Sequence, residues 1–134
     1  MTDDIMLRVP FVHSPGPELE ERRSGYARMT LATGPRHAGL DGQLHGGVLT
    51  TLMDSTLAIA LRELRGEGAS RHSSIEMSTT YLSHVAPGDT ITIEGSITHV
   101  EPTVAFGEAE ARRHPDGEPV AKARVTFAIQ EERA

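Results

Sequence analysis

Between Gly47 and Leu64 the chain carries Val48, Leu49, Leu52, Met53, Leu57, Ala58, Ile59, Ala60, Leu61 and Leu64. A single helical stripe cannot hold that many apolar positions, so a helix built from this segment must be buried over most of its girth. Gly66 and Gly68 stop it. No other long helical pattern occurs in the 134 residues. Whatever encloses this helix is therefore made of strands.

The strand patterns lie mostly after the helix. Ile75, Met77, Thr79 and Tyr81 alternate with Glu76, Ser78, Thr80 and Leu82. Pro87-Gly88-Asp89 reads as a turn, after which Ile91, Ile93 and Ile97 alternate with Thr92, Glu94 and Ser96. The segment from Thr103 to Arg112 places Ala105, Gly107, Ala109 and Ala111 on one face, and His114-Pro115-Asp116-Gly117 is a second turn. The last strand sets Ala121, Ala123, Val125, Phe127 and Ile129 against Lys122, Arg124 and Thr126. Before the helix, one strand is expected from Gly25 to Ala32 and a loop from Thr33 to Leu44, while residues 1–24, rich in Pro, Gly and charge, read as an extended arm. The expected architecture is α+β, with an arm over residues 1–24 and one domain over residues 25–134, an antiparallel sheet wrapped around one long central helix. A single such layer leaves sheet edges and an outer face uncovered, so at least a dimer is expected.

Composition narrows the function classes. The length suits one compact domain, with no room for a separate cofactor module. At 37% hydrophobic and 24% charged residues, the chain is neither a disordered nor a membrane-embedded type. Aromatics make up only 4%, with no Trp, so aliphatic side chains and Ala fill the core, which suits close packing of helix on sheet. A net charge of −6 argues against nucleic-acid binding, although Arg112, Arg113, Lys122 and Arg124 are local basic groups able to meet a phosphorylated ligand. The absence of Cys removes disulfides, thiolate metal sites and a cysteine nucleophile. Residues 1–12 have no long apolar stretch, so neither a signal peptide nor membrane association is expected, and the expected location is cytoplasmic.

Asp54 is the chemically conspicuous residue. On a helical projection Leu61 lies roughly 20°, Ala58 roughly 40° and Leu57 roughly 60° from it, so a carboxylate projects from within an apolar arc. Lost hydration raises the pKa of such a group unless donors compensate. It is then a candidate general base or nucleophile, or else a buried Asp held by a structural hydrogen bond. Gly46 and Gly47 open the same helix, where free N–H groups favour developing negative charge and glycine allows a ligand close to the backbone. An amide there can stabilise an oxyanion. The alternative is a plain entry turn.

The stretch Gly42-Gln43-Leu44-His45-Gly46-Gly47-Val48-Leu49-Thr50-Thr51-Leu52-Met53-Asp54 resembles the signature of the PaaI-like, 4-hydroxybenzoyl-CoA-thioesterase-type hot-dog family. The pattern is G-x-x-H-G-G, a few apolar residues, then Asp or Glu. The likeness continues through Ser74 to Ser83, through Pro87-Gly88-Asp89, and from Gly117 to Phe127. It implies an acyl-CoA thioesterase in which Asp54 activates water or attacks the thioester carbonyl and the Gly46 amide holds the oxyanion. His45 fixes the loop and the substrate carbonyl, and Ser74 orients the attacking water. Gly47, Ser55, Ala58 and Thr79 are the expected substrate contacts. CoA enters as part of the substrate, so no separate cofactor is implied. The expected assembly is a homodimer or homotetramer, with Asp54 and Ser74 of one site supplied by different subunits.

Two positions depart from the family pattern. Gly39 stands six residues before His45, where many members carry Asn or Gln, with Asp41 or Gln43 as possible substitutes. Ser83-His84 replaces an Arg-Pro pair. The first departure motivates a rival reading, a non-catalytic acyl-CoA or small-ligand binding protein. A hydratase or dehydratase on the same scaffold needs an Asp/His constellation that this sequence does not display. The remaining histidines (His13, His37, His72, His84, His99 and His114) lack metal-ligand spacing, so no metal is expected. Arg112, Arg113 and His114 read either as an exposed face or as a phosphate contact.

Overall fold

The computed structural model describes residues 10–66 and 71–130. The start of the arm and Gly68 lie outside the described residues. Along the chain run a short helix α1 (Pro10–His13), strands β1 (Glu18–Arg23) and β2 (Tyr26–Ala32), and a 3-10 turn at Pro35–His37. The long helix α2 (Gly46–Arg65) follows, then β3 (His72–Tyr81), β4 (Thr90–Val100), β5 (Val104–His114) and β6 (Pro119–Ile129). The strands form one sheet in the order β1-β2-β4-β5-β6-β3, with every neighbouring pair antiparallel. β1 and β3 are its edges.

The helix lies in the concave face of this sheet. Ser55 to Leu61 are seven consecutive buried positions, nearly two turns enclosed all round, as the crowding of apolar residues requires. The sheet makes room by presenting small residues. A Cβ on Gly95 would stand 2.9 Å from Leu57 Cδ2, and one on Gly107 would stand 2.8 Å from the same methyl. Leu57 thus seats itself over two neighbouring strands where both lack a side chain. Ala109 opposite Ala123 and Ala111 opposite Ala121 continue the shallow bed along β5 and β6. Leu19, Met29, Leu31, Ile91, Ile93, Val125 and Phe127 close the core around it. Gly47, Thr51 and Asp54 before this enclosed stretch, and Arg62 and Arg65 after it, remain at least partly exposed.

Three details differ from the sequence expectation. Glu18–Arg23, read as part of a loose arm, is a strand paired with β2. Its only apolar residue, Leu19, is fully buried, too little pattern to reveal a strand whose pairing comes from an edge position. The helix begins one residue earlier and ends one residue later than Gly47 to Leu64. Ile75 does not share a face with Met77. The β3–β6 register shifts between Ser74 and Glu76, and Ile75 at this bulge is 63% exposed.

The packing of Leu57 gives a direct test. Gly107→Ala should lower stability by about 1–3 kcal/mol through overpacking, read from urea denaturation midpoints. Adding Leu57→Val should recover part of that loss. Equal midpoints for wild type and Gly107→Ala would show that the bed is not closely fitted.

Candidate active site

The start of α2 is held by a relay of two histidines. His45 is the helix cap, its Nδ1 accepting the Gly47 N–H at 2.8 Å, and this satisfies one of the orphan donors of the first turn. The His45 N–H donates to the carbonyl of His37 at 2.8 Å. His37 is buried, with Nδ1 accepting from Gly34 N–H at 2.9 Å and Nε2 lying 2.7 Å from the Pro15 carbonyl. A carbonyl only accepts, so Nε2 carries the proton in this arrangement. The chain before β1 is thereby tied to the loop that enters the helix.

Asp54 lies near the middle of the helix, just before its enclosed stretch, and is half-buried. The Ser74 hydroxyl donates to Asp54 Oδ1 at 2.6 Å, a length typical of a hydroxyl on a carboxylate. Both residues belong to one chain, which corrects the expectation that they come from different subunits. β3 follows α2 directly and takes the sheet edge beside β6, so its first residues pass the middle of the same helix. His72, two residues earlier, sets its ring edge-on to Phe127 with centroids 5.4 Å apart. Burial keeps the His72 imidazole below its ordinary pKa, repulsion from Arg62 and Arg65 adds to this, and Asp54 opposes it.

Gly46 is the first helical residue, where its N–H has no intrahelical acceptor. Eight residues at about 1.5 Å each put it about 12 Å along the helix from Asp54. Within one chain, the amide and the carboxylate are therefore separated by just over two helical turns.

The other expected contacts divide. Gly47 is exposed beside His45 and lines a cavity of about 570 Å³ with Phe11, Pro15, His37 and Thr51. Ala58 lies one turn beyond Asp54 and is buried. Ser55 is buried as well, and its hydroxyl donates to the Thr51 carbonyl, so it faces the core rather than a substrate. Thr79 is half-buried, five residues beyond Ser74 on β3. A second cavity of about 520 Å³ flanks the other side of the helix start, bordered by Leu40, Gln43, Gly46, Tyr81 and His84. A further cavity of about 600 Å³ lies on the outer face of the sheet among Glu94, Glu108, Glu110, Arg112, Lys122 and Arg124, and neither Asp54 nor Ser74 lines it.

Departures from the family pattern also take physical form. A Cβ at Gly39 would find only ordinary contacts, the nearest atoms being 3.6 Å away, so glycine is not demanded there by crowding. Asp41 does not stand in for the missing amide side chain, because its Oδ1 accepts the Gln43 N–H at 3.0 Å in a local turn. Arg113 binds Asp116 and the His84 carbonyl, Arg112 binds Glu110 and the Gly117 carbonyl, and Lys122 pairs with Glu110. No group of acidic or imidazole side chains able to hold a metal ion occurs among the described residues.

Sequence reasoning missed Tyr81, whose hydroxyl lies 3.1 Å from the Gly46 carbonyl and 2.6 Å from Thr50 Oγ1. Ser74 and Tyr81 are seven residues apart, an odd number that sends side chains of a regular strand to opposite faces. The bulge after Ser74 restores the phase and turns both toward α2. No signal in the sequence marks that bulge.

The comparisons with known proteins bear on the family and the fold. The family model of the thioesterase superfamily matches residues 41–120, from the loop before α2 to the start of β6. The chain belongs to the thioesterase superfamily, and the antiparallel sheet around one helix is the hot-dog fold that the motif implied. It is similar to the Caenorhabditis elegans protein F42H10.6, 35% identical over 95 residues, covering 70% of this chain and 54% of that protein. It is also similar to acyl-coenzyme A thioesterase 13 of Homo sapiens, 32% identical over 92 residues, covering 67% of this chain and 63% of that protein. The matched region thus spans between half and two thirds of these relatives' length. Among solved structures, conserved protein PA5202 of Pseudomonas aeruginosa superposes with a TM-score of 0.86 at 25% identity, covering 94% of this chain and 98% of that one. No helix among the described residues is long and apolar enough to cross a membrane.

If the Ser74 hydroxyl orients the Asp54 carboxylate, Ser74→Ala should lower turnover about tenfold, the size of one hydrogen bond to a charged group. Steady-state kinetics on purified protein would measure this, and an unchanged turnover number would leave the bond without a catalytic role.

Proposed function

We propose that the chain hydrolyses an acyl-CoA thioester to a free carboxylic acid and CoA, in a site built from two copies of the chain. The observation that carries this reading is the 2.6 Å bond from Ser74 to Asp54 at the middle of a helix whose opening amide stands about 12 Å away along the axis. The hydroxyl engages Oδ1 and directs Oδ2 toward a water or the thioester carbon. Asp54 then serves as general base or nucleophile. The developing oxyanion needs an N–H donor, and the Gly46 amide of a second copy supplies it at the positive end of its helix. His45 fixes the loop that presents this amide.

The sheet supports such an assembly. β3 bonds to β6 on one side only, and Ile75, Tyr81 and Leu82 are exposed along or just beyond it. Pairing β3 with β3 of a second copy, antiparallel, would continue the sheet and set the two helices side by side in opposite directions. The start of each helix would then approach the middle of the other. The relative named acyl-coenzyme A thioesterase 13 supports the substrate class.

The first test is a panel of short, medium, long and aromatic acyl-CoAs assayed for free thiol. Wild type should release CoA, while Asp54→Asn should keep the fold and lose a hundredfold or more in turnover, as loss of a general base does. Binding of acyl-CoA with no thiol release would instead support the ligand-binding reading that Gly39 motivates. The shared site has its own test. Asp54→Asn and Gly46→Pro, each inactive alone, should on mixing and subunit exchange recover about a quarter of wild-type activity, because half the dimers are mixed and each holds one intact site. Gly46→Pro removes the N–H at a helical position that tolerates proline. Because its Cβ would stand 3.0 Å from the Tyr81 ring it displaces that ring as well, a local change that complementation by the other subunit's intact Gly46 bypasses. No recovery from subunits shown to exchange would place both groups in one chain's site.

A further inference from the structure

We propose that Tyr81 is a positioning residue for the Gly46 amide, a proposal that rests on the thioesterase reading above. Tyr81 sits at the last position of the edge strand β3 and is 53% exposed in the single chain, beside the start of α2. Its hydroxyl makes two specific bonds. The Gly46 carbonyl can only accept, so the phenolic proton points there, at 3.1 Å. Thr50 must then donate to the phenolic oxygen, at 2.6 Å. The order is Thr50 to Tyr81 to Gly46.

The two glycines at the helix start do not adopt positive φ. Close approach explains them better. A Cβ on Gly46 would stand 3.0 Å from the Tyr81 ring, and a Cβ on Gly47 would stand 2.9 Å from the His45 ring. Each glycine is covered by one ring, and the peptide between them is gripped at both ends. Its carbonyl accepts from Tyr81 and its N–H donates to His45 Nδ1. The neighbouring peptide, whose N–H is the proposed oxyanion donor, shares the Gly46 Cα with this clamped unit. Tyr81 thus sets the direction of that N–H through the backbone. Direction matters because a misplacement of about 1 Å can cost about a hundredfold in rate. Removing an oxyanion donor outright costs about a hundred- to a thousandfold. Loosening one should cost less.

The test is Tyr81→Phe, which keeps the ring and removes both bonds, compared with wild type, Thr50→Val and Asp54→Asn in the free-thiol assay. Tyr81→Phe should lower kcat about tenfold with KM within about twofold, the mark of an interaction made mainly in the transition state. Thr50→Val leaves the bond to Gly46 and should lose less. The double variant should be no slower than Tyr81→Phe alone, since both act through one chain of bonds. The pH profile of kcat/KM should keep its wild-type limbs, because the phenol works through the backbone and transfers no proton. Full kcat in Tyr81→Phe alongside an inactive Asp54→Asn overturns the positioning role and leaves the thioesterase reading standing. A shifted pH limb, or a loss expressed in KM alone, also overturns it. Absence of thiol release from wild type overturns both readings together.

Discussion

The approach of α2 to the sheet is the constraint on which the rest of the molecule depends. The helix is enclosed over nearly two turns only because β4 and β5 offer Gly95 and Gly107 beneath Leu57 and alanines line the bed beyond. Close approach brings dispersion contacts that a larger side chain would forbid. It also sets how far the helix's free side stands from the sheet's edges. Asp54 lies on that free side, and an edge strand beside it provides the hydroxyl that engages its carboxylate. A helix held farther out would leave the acid with water as its partner.

Much of this was legible in the sequence, for a physical reason. Burial of a whole helix demands apolar residues all round, and Val48 to Leu64 display them without ambiguity. Strands with one face on a core alternate, as Ile91 to Ile97 and Ala121 to Ile129 do. The run of small residues Ala105, Gly107, Ala109 and Ala111 was legible as one strand face, and the structure sets that face beneath the helix. The motif around His45 and Asp54 then pointed to the family, which the match over residues 41–120 establishes.

What stayed hidden depends on non-local pairing. Glu18–Arg23 has one apolar residue, and it becomes a strand because β2 offers an edge. The bond between Ser74 and Asp54 lies within one chain because β3 leaves its sequence neighbour β4 and pairs with β6, a choice that no local pattern records. His37 read as a spare histidine, yet its Nδ1 holds the local turn at Gly34 and its Nε2 ties the chain before β1 to the loop that enters α2. Ser55, expected at the substrate, turns inward to the Thr51 carbonyl, as hydroxyl residues in helices often do.

The bulge at Ile75 has a wider meaning for how this edge strand can change over time. Its two ends run out of step by one residue, so one short strand addresses two separate places on the same helix, the acid at mid-length and the glycines at the tip. Losing the extra residue would rotate one end away from its target while leaving the other end in place. Point changes in β3 are therefore easier to absorb than a change in its length. Single-residue insertions and deletions should be rare among functional descendants of this chain between Ser74 and Tyr81, even though exposed sheet margins commonly tolerate them.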